Sequence, residues 1–288
     1  SNCVLNTNLK SSGSGGIQLT KGLTIFCMQE RKIFDEGPVW LFGLHRFLLF
    51  RKEVSMNTQL DSIKSEARML LYTDIHLTEF SPVVVQHPFT TSGFVGIKED
   101  GSVRILDVAE NEDDLHIWRK YVCGLIEKSE TAYDLYMLFT APYALAFLKY
   151  AKPYLSKQDL SKILASAWTQ SENPNRDPNV ERWELVTMFQ DADPEVLMNP
   201  DDYAVYQSLP ETITVYRGVI GTAEDSYLGL SWSLNQETAE WFAKRFGHRG
   251  YVYEGQIDKK YVYAYFGGRN ESEVVIRPKY VRGLKWHR

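Results

Sequence analysis

The chain has 288 residues, 44% of them hydrophobic and 13% aromatic, which supplies a packed core and excludes a largely disordered chain. A net charge of −5 argues against a protein that holds nucleic acid through a broad basic surface, since only the end from Arg277 to Arg288 is locally basic. Three scattered cysteines (Cys3, Cys27 and Cys123) and six histidines form no disulfide framework, no HExxH and no Cys/His cluster, so the expectation is a reduced, cytoplasmic protein without a metal site.

Residues 1–55 read differently from the rest. Ser11-Ser12-Gly13-Ser14-Gly15-Gly16 is linker-like, and the stretch after it has no clean periodicity. A purine-rich ribosome-binding sequence could encode Arg51-Lys52-Glu53-Val54, just before Met56. Met56 is therefore expected as the natural start, with 1–55 as leader or appended sequence. The apolar run Val39 to Phe50 is short and interrupted by His45 and Arg46, and the N-terminus lacks a basic region followed by an apolar core. Neither a membrane span nor a signal peptide is expected.

From Asn57 the pattern is regular. Leu60 to Leu71 has helical spacing, and Pro82 to Gln86 reads as a strand. Gly93 to Lys98 and Val103 to Val108 flank Glu99-Asp100-Gly101, which predicts a hairpin. Helices are predicted over 113–128 and 132–150, the second broken or kinked at Pro142. Asp134, Pro142, Lys149 and Lys152 mark the apolar run 132–155 as buried helices rather than a membrane segment. The region 56–155 is α+β, and its residues carry no chemistry.

Ser156 caps a predicted helix reaching Trp168, residues 173–179 with two prolines form a loop, and 180–190 is helical again. Strands then dominate: 213–217, 228–232, 250–257, 262–265 and 273–276, with one helix at about 235–246. The class is α+β.

Three polar islands interrupt the strands. Arg217-Gly218 ends the first, Ser231-Trp232-Ser233 ends the second, and Glu271-Ser272-Glu273 opens the last. A guanidinium fork matches diphosphate oxygens, and a carboxylate suits a sugar carbon that turns positive. Residues two apart in a strand share a face, so both glutamates can point into one cleft.

In this order and spacing, residues 156–288 resemble the mono-ADP-ribosyltransferases of the Arg-Ser-Glu type, the group of cholera-like and clostridial binary toxins. The resemblance implies a helical part followed by two packed, mainly antiparallel sheets, with NAD as co-substrate and no metal. Arg217 would bind phosphate, and Gly218 would let the backbone approach the nicotinamide. Ser231 would bond the catalytic glutamate and the ribose. Trp232 stands where the family has threonine, and Ser233 or Asn235 reads as a cap for the next helix. Phe242 could stack on nicotinamide or pack in the core; Arg245 could bind phosphate or serve the helix end. Glu273 would stabilise the oxocarbenium-like transition state, Glu271 would activate the acceptor, and Phe266 on the loop before them would touch the target. The Glu at 271, where relatives also use Gln, favours protein arginine as acceptor. Nucleic acid and water remain open, as does a non-catalytic interaction module. Action in the producing cell or after delivery as a toxin or effector fits, and 56–155 could recognise the target, shield the active site or bind a neutralising partner. A Rossmann enzyme does not fit, because the glycines at 13–16 open no helix after a strand.

Overall fold

A computed structural model describes residues 57–99, 101–220, 226–247 and 249–287, which belong to one compact unit. The segment 1–55 and Met56 lie outside the described residues.

α1 (Leu60–Leu71) places Ile63, Ala67 and Leu71, four residues apart, on one buried stripe. β1 (His76–Thr78), β2 (Ser81–His87) and β3 (Thr90–Ser92) form a three-stranded antiparallel sheet. β4 (Phe94–Glu99) and β5 (Ser102–Asp107) pair as the expected hairpin, and Gly101 takes the turn's positive φ of 80°. α2 (Glu112–Lys128) starts where the Asn111 side chain accepts from the N–H groups of Asp113 and Asp114. Three acidic residues in its first turn and Lys128 in its last match the helix dipole. The helix expected over 132–150 is two pieces, α3 (Ala132–Tyr136) and α4 (Ala144–Ala151), separated by a 3-10 turn containing Pro142. α4 is apolar on nearly all sides and is accordingly buried.

α5 (Lys157–Gln170) begins as read, with the Ser156 hydroxyl accepting from Asp159 N–H at 3.1 Å. α6 (Arg182–Asp191) is followed by two short helices, α7 (Pro194–Leu197) and α8 (Pro200–Ser208). Each of these two opens with proline at its first position, where a missing N–H costs nothing.

The C-terminal strands are β6 (Thr212–Val219), β7 (Ser231–Ser233), β8 (Tyr251–Asp258), β9 (Val262–Phe266), β10 (Glu273–Ile276) and β11 (Arg282–His287). α9 (Gln236–Lys244) lies between β7 and β8. They form one six-stranded antiparallel sheet in the order β11-β8-β6-β7-β10-β9. The two packed sheets expected here are replaced by this single ladder. β6 pairs with β8 from Thr212 to Val219, whereas β6 and β7 share only the pair Tyr216 and Ser233. A smaller core built from Ile213, Val215, Trp232, Ile257, Val274 and Ile276 draws on strands from both sides of this seam between the two halves of the ladder.

The opposite face of the second half meets the helices. Val275, Ala264, Phe266 and Leu230 belong to a larger core that also holds Ile63, Leu71, Ile126, Phe147, Leu164 and Trp168. That core does not respect the boundary expected at 155/156. Gln59 N–H donates to the Tyr154 carbonyl at 2.8 Å, Ser156 N–H donates to the Thr58 hydroxyl at 2.9 Å, and that hydroxyl bonds the Asp159 carboxylate. Residues 57–155 are thus packed onto the start of α5 rather than forming a separate body.

Candidate functional site

The cleft lies along the seam. Its volume is about 610 Å³, within the ordinary range for small-molecule sites. Arg217 comes from β6, Ser231 and Ser233 from β7, Glu271 from the turn before β10, Glu273 from its first position, Phe242 from α9 and Arg245 from just past its end. Every one of these side chains, with Gly218, lines the same space.

Sheet register sets the floor. Glu273 stands across from Ser233, and Val275 stands across from Ser231. The serine facing Glu273 is therefore Ser233, and Ser231 sits two residues along the same face. The Ser231 carbonyl accepts from Arg217 Nη1, which ties the arginine head to the second half of the sheet. Gly229 touches that head too: a Cβ there would lie 2.4 Å from Arg217 Nη2.

Arg217 keeps part of its surface open to the cleft but is surrounded by protein on the scale over which its charge acts. Burial pushes its pKa down to about 10; the Glu273 carboxylate opposes this, and Arg176 and Arg182 reinforce it. The guanidinium stays cationic at neutral pH. Arg176, Arg217 and Arg245 share the cleft with Glu172, Glu271 and Glu273, so an anion is favoured where it meets the guanidinium groups.

Glu273 is buried, with 6% of its surface exposed. Its Oε1 accepts from the indole N–H of Trp168 at 3.1 Å. Trp168 is held in turn by Phe189, edge-on at 4.9 Å. Glu271 reaches the cleft by a different route from the one expected. It is not on the strand but follows a 3-10 turn, and it is flanked by Asn270 at φ 57° and Ser272 at φ 44°. The left-handed turn at Ser272, not strand alternation, brings both glutamates to one cavity. The Ser233 hydroxyl donates to the Glu271 carbonyl at 2.8 Å and accepts from Asn235 N–H at 2.9 Å. Asn235, not Ser233, caps α9, accepting from Glu237 N–H at 2.8 Å. At the other end of the loop, Asp202 on α8 accepts from Gly267 N–H at 2.9 Å.

Phe242 resolves toward the cleft: the core face of α9 is Ala239 and Ala243, and Phe242 packs edge-on against Trp241. Arg245 lies over the rings of Trp241 and Phe246, 5.4 and 4.6 Å from their centroids. Phe246 has φ 60° and is 76% exposed at the cleft mouth. Positive-φ non-glycine residues cost local strain; among the described residues they are Phe246, Asn270 and Ser272, and all three border this site. Gly218 is needed by the helix above it, since a Cβ would sit 1.8 Å from the Ala239 carbonyl oxygen. Phe266 is placed otherwise than expected. It is on β9 across from Glu273, buried in the larger core, and does not line the cleft.

No family model, curated protein or solved structure matches the chain.

The far wall of the cleft escaped the sequence reading. Trp168 closes α5, and Asn175 and Arg176 belong to a 3-10 turn inside the loop read over 173–179. Asn175 Oδ1 accepts from Leu230 N–H at 2.6 Å, joining this wall to the residue that leads into β7. The two prolines signal a loop; nothing local signals that it faces the arginine. Among the described residues no group of His, Cys, Asp or Glu could hold a metal ion, and no helix is long and apolar enough to cross a membrane.

Proposed function

We propose that this chain cleaves NAD at the nicotinamide–ribose bond and transfers ADP-ribose to a macromolecule, with protein arginine as the favoured acceptor. The observation that carries the reading is the meeting of Arg217, Ser231, Glu271 and Glu273 in one cleft at the seam of a split antiparallel sheet. That architecture, with helices packed on the second half of the sheet, supports kinship with the ADP-ribosyltransferase fold.

Arg217, with Arg176 beside it, neutralises the diphosphate and fixes the donor. Nicotinamide leaves with the bonding electron pair, and positive charge grows at the anomeric carbon. Glu273, anionic and preorganised, stabilises that charge. The acceptor nitrogen bonds to the carbon and releases its proton to Glu271. In the proposed setting the protein is a cytoplasmic toxin or effector, and a neutralising partner protects the producing cell.

Incubation with labelled NAD tests the reading. Wild-type protein should release nicotinamide and leave label on macromolecules of a cell lysate, sensitive to protease rather than nuclease. Glu273→Gln should lower nicotinamide release about 10²–10³-fold. Unchanged turnover in that variant would refute the assignment. Label that stays soluble assigns water as the acceptor, and nuclease-sensitive label assigns nucleic acid.

A further inference from the structure

Trp168 and Trp232 are the least exposed tryptophans among the described residues, and they satisfy their indole N–H groups in different ways. Trp232 Nε1 donates to the Gly229 carbonyl, 2.9 Å away and three residues back. That is the local arrangement a core indole needs. Trp168 Nε1 instead donates to the side chain of Glu273, 105 residues further along the chain. Both members of that pair are buried, at 1% and 6% exposure, where a hydrogen bond to a carboxylate is stronger than in water.

We propose that Trp168 is a positioning residue for Glu273. An indole N–H is donor-only, so it holds one carboxylate oxygen in a fixed direction and favours the ionised form. A serine or tyrosine hydroxyl in its place could rotate and accept a proton; indole cannot. Its ring is locked edge-on against Phe189, and Phe189 lies parallel to Tyr263 with ring centroids 6.2 Å apart. The helical part of the molecule thereby takes part in aiming a carboxylate carried on β10. The idea rests on Glu273 being the carboxylate that stabilises the transition state. The charged groups sharing the cleft are Arg217 from β6, Glu271 before β10, Glu172 and Arg176 after α5, and Arg245 at the end of α9. None of them donates an N–H that is both uncharged and fixed by packing.

Two measurements on the full chain test this. In steady-state NAD cleavage, Trp168→Phe keeps the packing against Phe189 and removes the donor. It should lower kcat about tenfold with KM for NAD changed less than about threefold, and raise the acid limb of the kcat profile by about one pH unit. A merely structural tryptophan would leave that limb in place. The second measurement needs no activity. Among the seven tryptophans labelled with ¹⁵N, one indole N–H resonance should titrate with the carboxylate; it should be missing from Trp168→Phe and pH-independent in Glu273→Gln. The Trp232 resonance should not respond. If Trp168→Phe fails to fold, Glu273→Gln identifies the resonance by the shift it causes. A Trp168 indole that ignores pH, or a folded Trp168→Phe with unchanged kcat and acid limb, overturns the proposal. Wild-type protein that cleaves no NAD counts against the function, while the titration still decides whether the indole senses the carboxylate.

Discussion

The two walls of the cleft are built on different rules. The strand wall takes Arg217, Ser231, Ser233 and Glu273 from β6, β7 and β10, whose ladder register fixes their order. The helical wall takes Trp168, Asn175 and Arg176 from the end of α5 and the turn after it, and meets the first wall through Trp168 to Glu273 and Asn175 to Leu230. The strand wall supplies Arg217 and Glu273, with Arg176 adding charge from the other side; the helical wall also supplies direction. The contrast also gives residues 57–155 a part in the site. By holding Thr58 against Asp159 and Ser156, they fix the start of the helix that carries Trp168 in its last turn.

The strand wall should fail by steric conflict. Gly218→Ala drives a Cβ to 1.8 Å from the Ala239 carbonyl oxygen and 2.8 Å from Ala243 N, and both are backbone atoms of α9 that cannot rotate away. The helix must lift, taking Phe242 and Arg245 with it. The expected loss is about 3 kcal/mol in denaturant unfolding, with weaker NAD binding. A loss below about 0.5 kcal/mol would mean that α9 is not seated on β6 as described.

The helical side should fail by protonation. His87 on β2 is buried against Trp118 and Phe89, and its Nδ1 accepts from Phe89 N–H at 3.1 Å. Burial first, then Arg119, lowers its pKa from 6.5 to about 4, with the Leu71 and Thr73 carbonyls pulling the other way and His76 adding slightly. Between these values the unfolded chain takes up a proton that the folded chain refuses. This contribution is therefore complete above pH 6.5 and is lost as pH falls toward 4, amounting to about 3 kcal/mol. Unfolding free energies measured across that window should show the slope, and His87→Asn should flatten it. A slope unchanged in the variant would assign the acid sensitivity to other groups.

The same contrast explains what could be read from the sequence. The hairpin at 99–101, the stripe of α1 and the Ser156 cap are local patterns, and each appears where the pattern puts it. The three polar islands were legible because short strands display their residues at fixed spacing. Glu271 shows the limit: it reaches the cleft through a positive φ at Ser272, which no periodicity encodes. α8 was missed because its apolar pattern is weak and its role rests on Asp202 holding Gly267, a contact 65 residues long. Trp168 reads in sequence as one more apolar residue on a helix. Its N–H partner is set by chain closure, as is the core position of Phe266.

The smallest change distinguishes the glutamates from the loop that presents them. The Ser233 hydroxyl bonds two backbone groups, bridging the Glu271 carbonyl and Asn235 N–H. Ser233→Ala removes both bonds from a buried site, at about 1 kcal/mol in stability. Glu273 starts the strand and keeps its Trp168 bond, so nicotinamide release should stay within about threefold of wild type. Glu271 sits on the strained turn that Ser233 anchors and should lose its aim, so the fraction of ADP-ribose reaching macromolecules should fall by more than the total released. Counting soluble and macromolecule-bound label in one reaction measures that ratio directly. Equal losses in both would mean that Ser233 steadies the whole cleft; a changed ratio at nearly constant turnover would separate the group that breaks the bond from the group that chooses what receives the sugar.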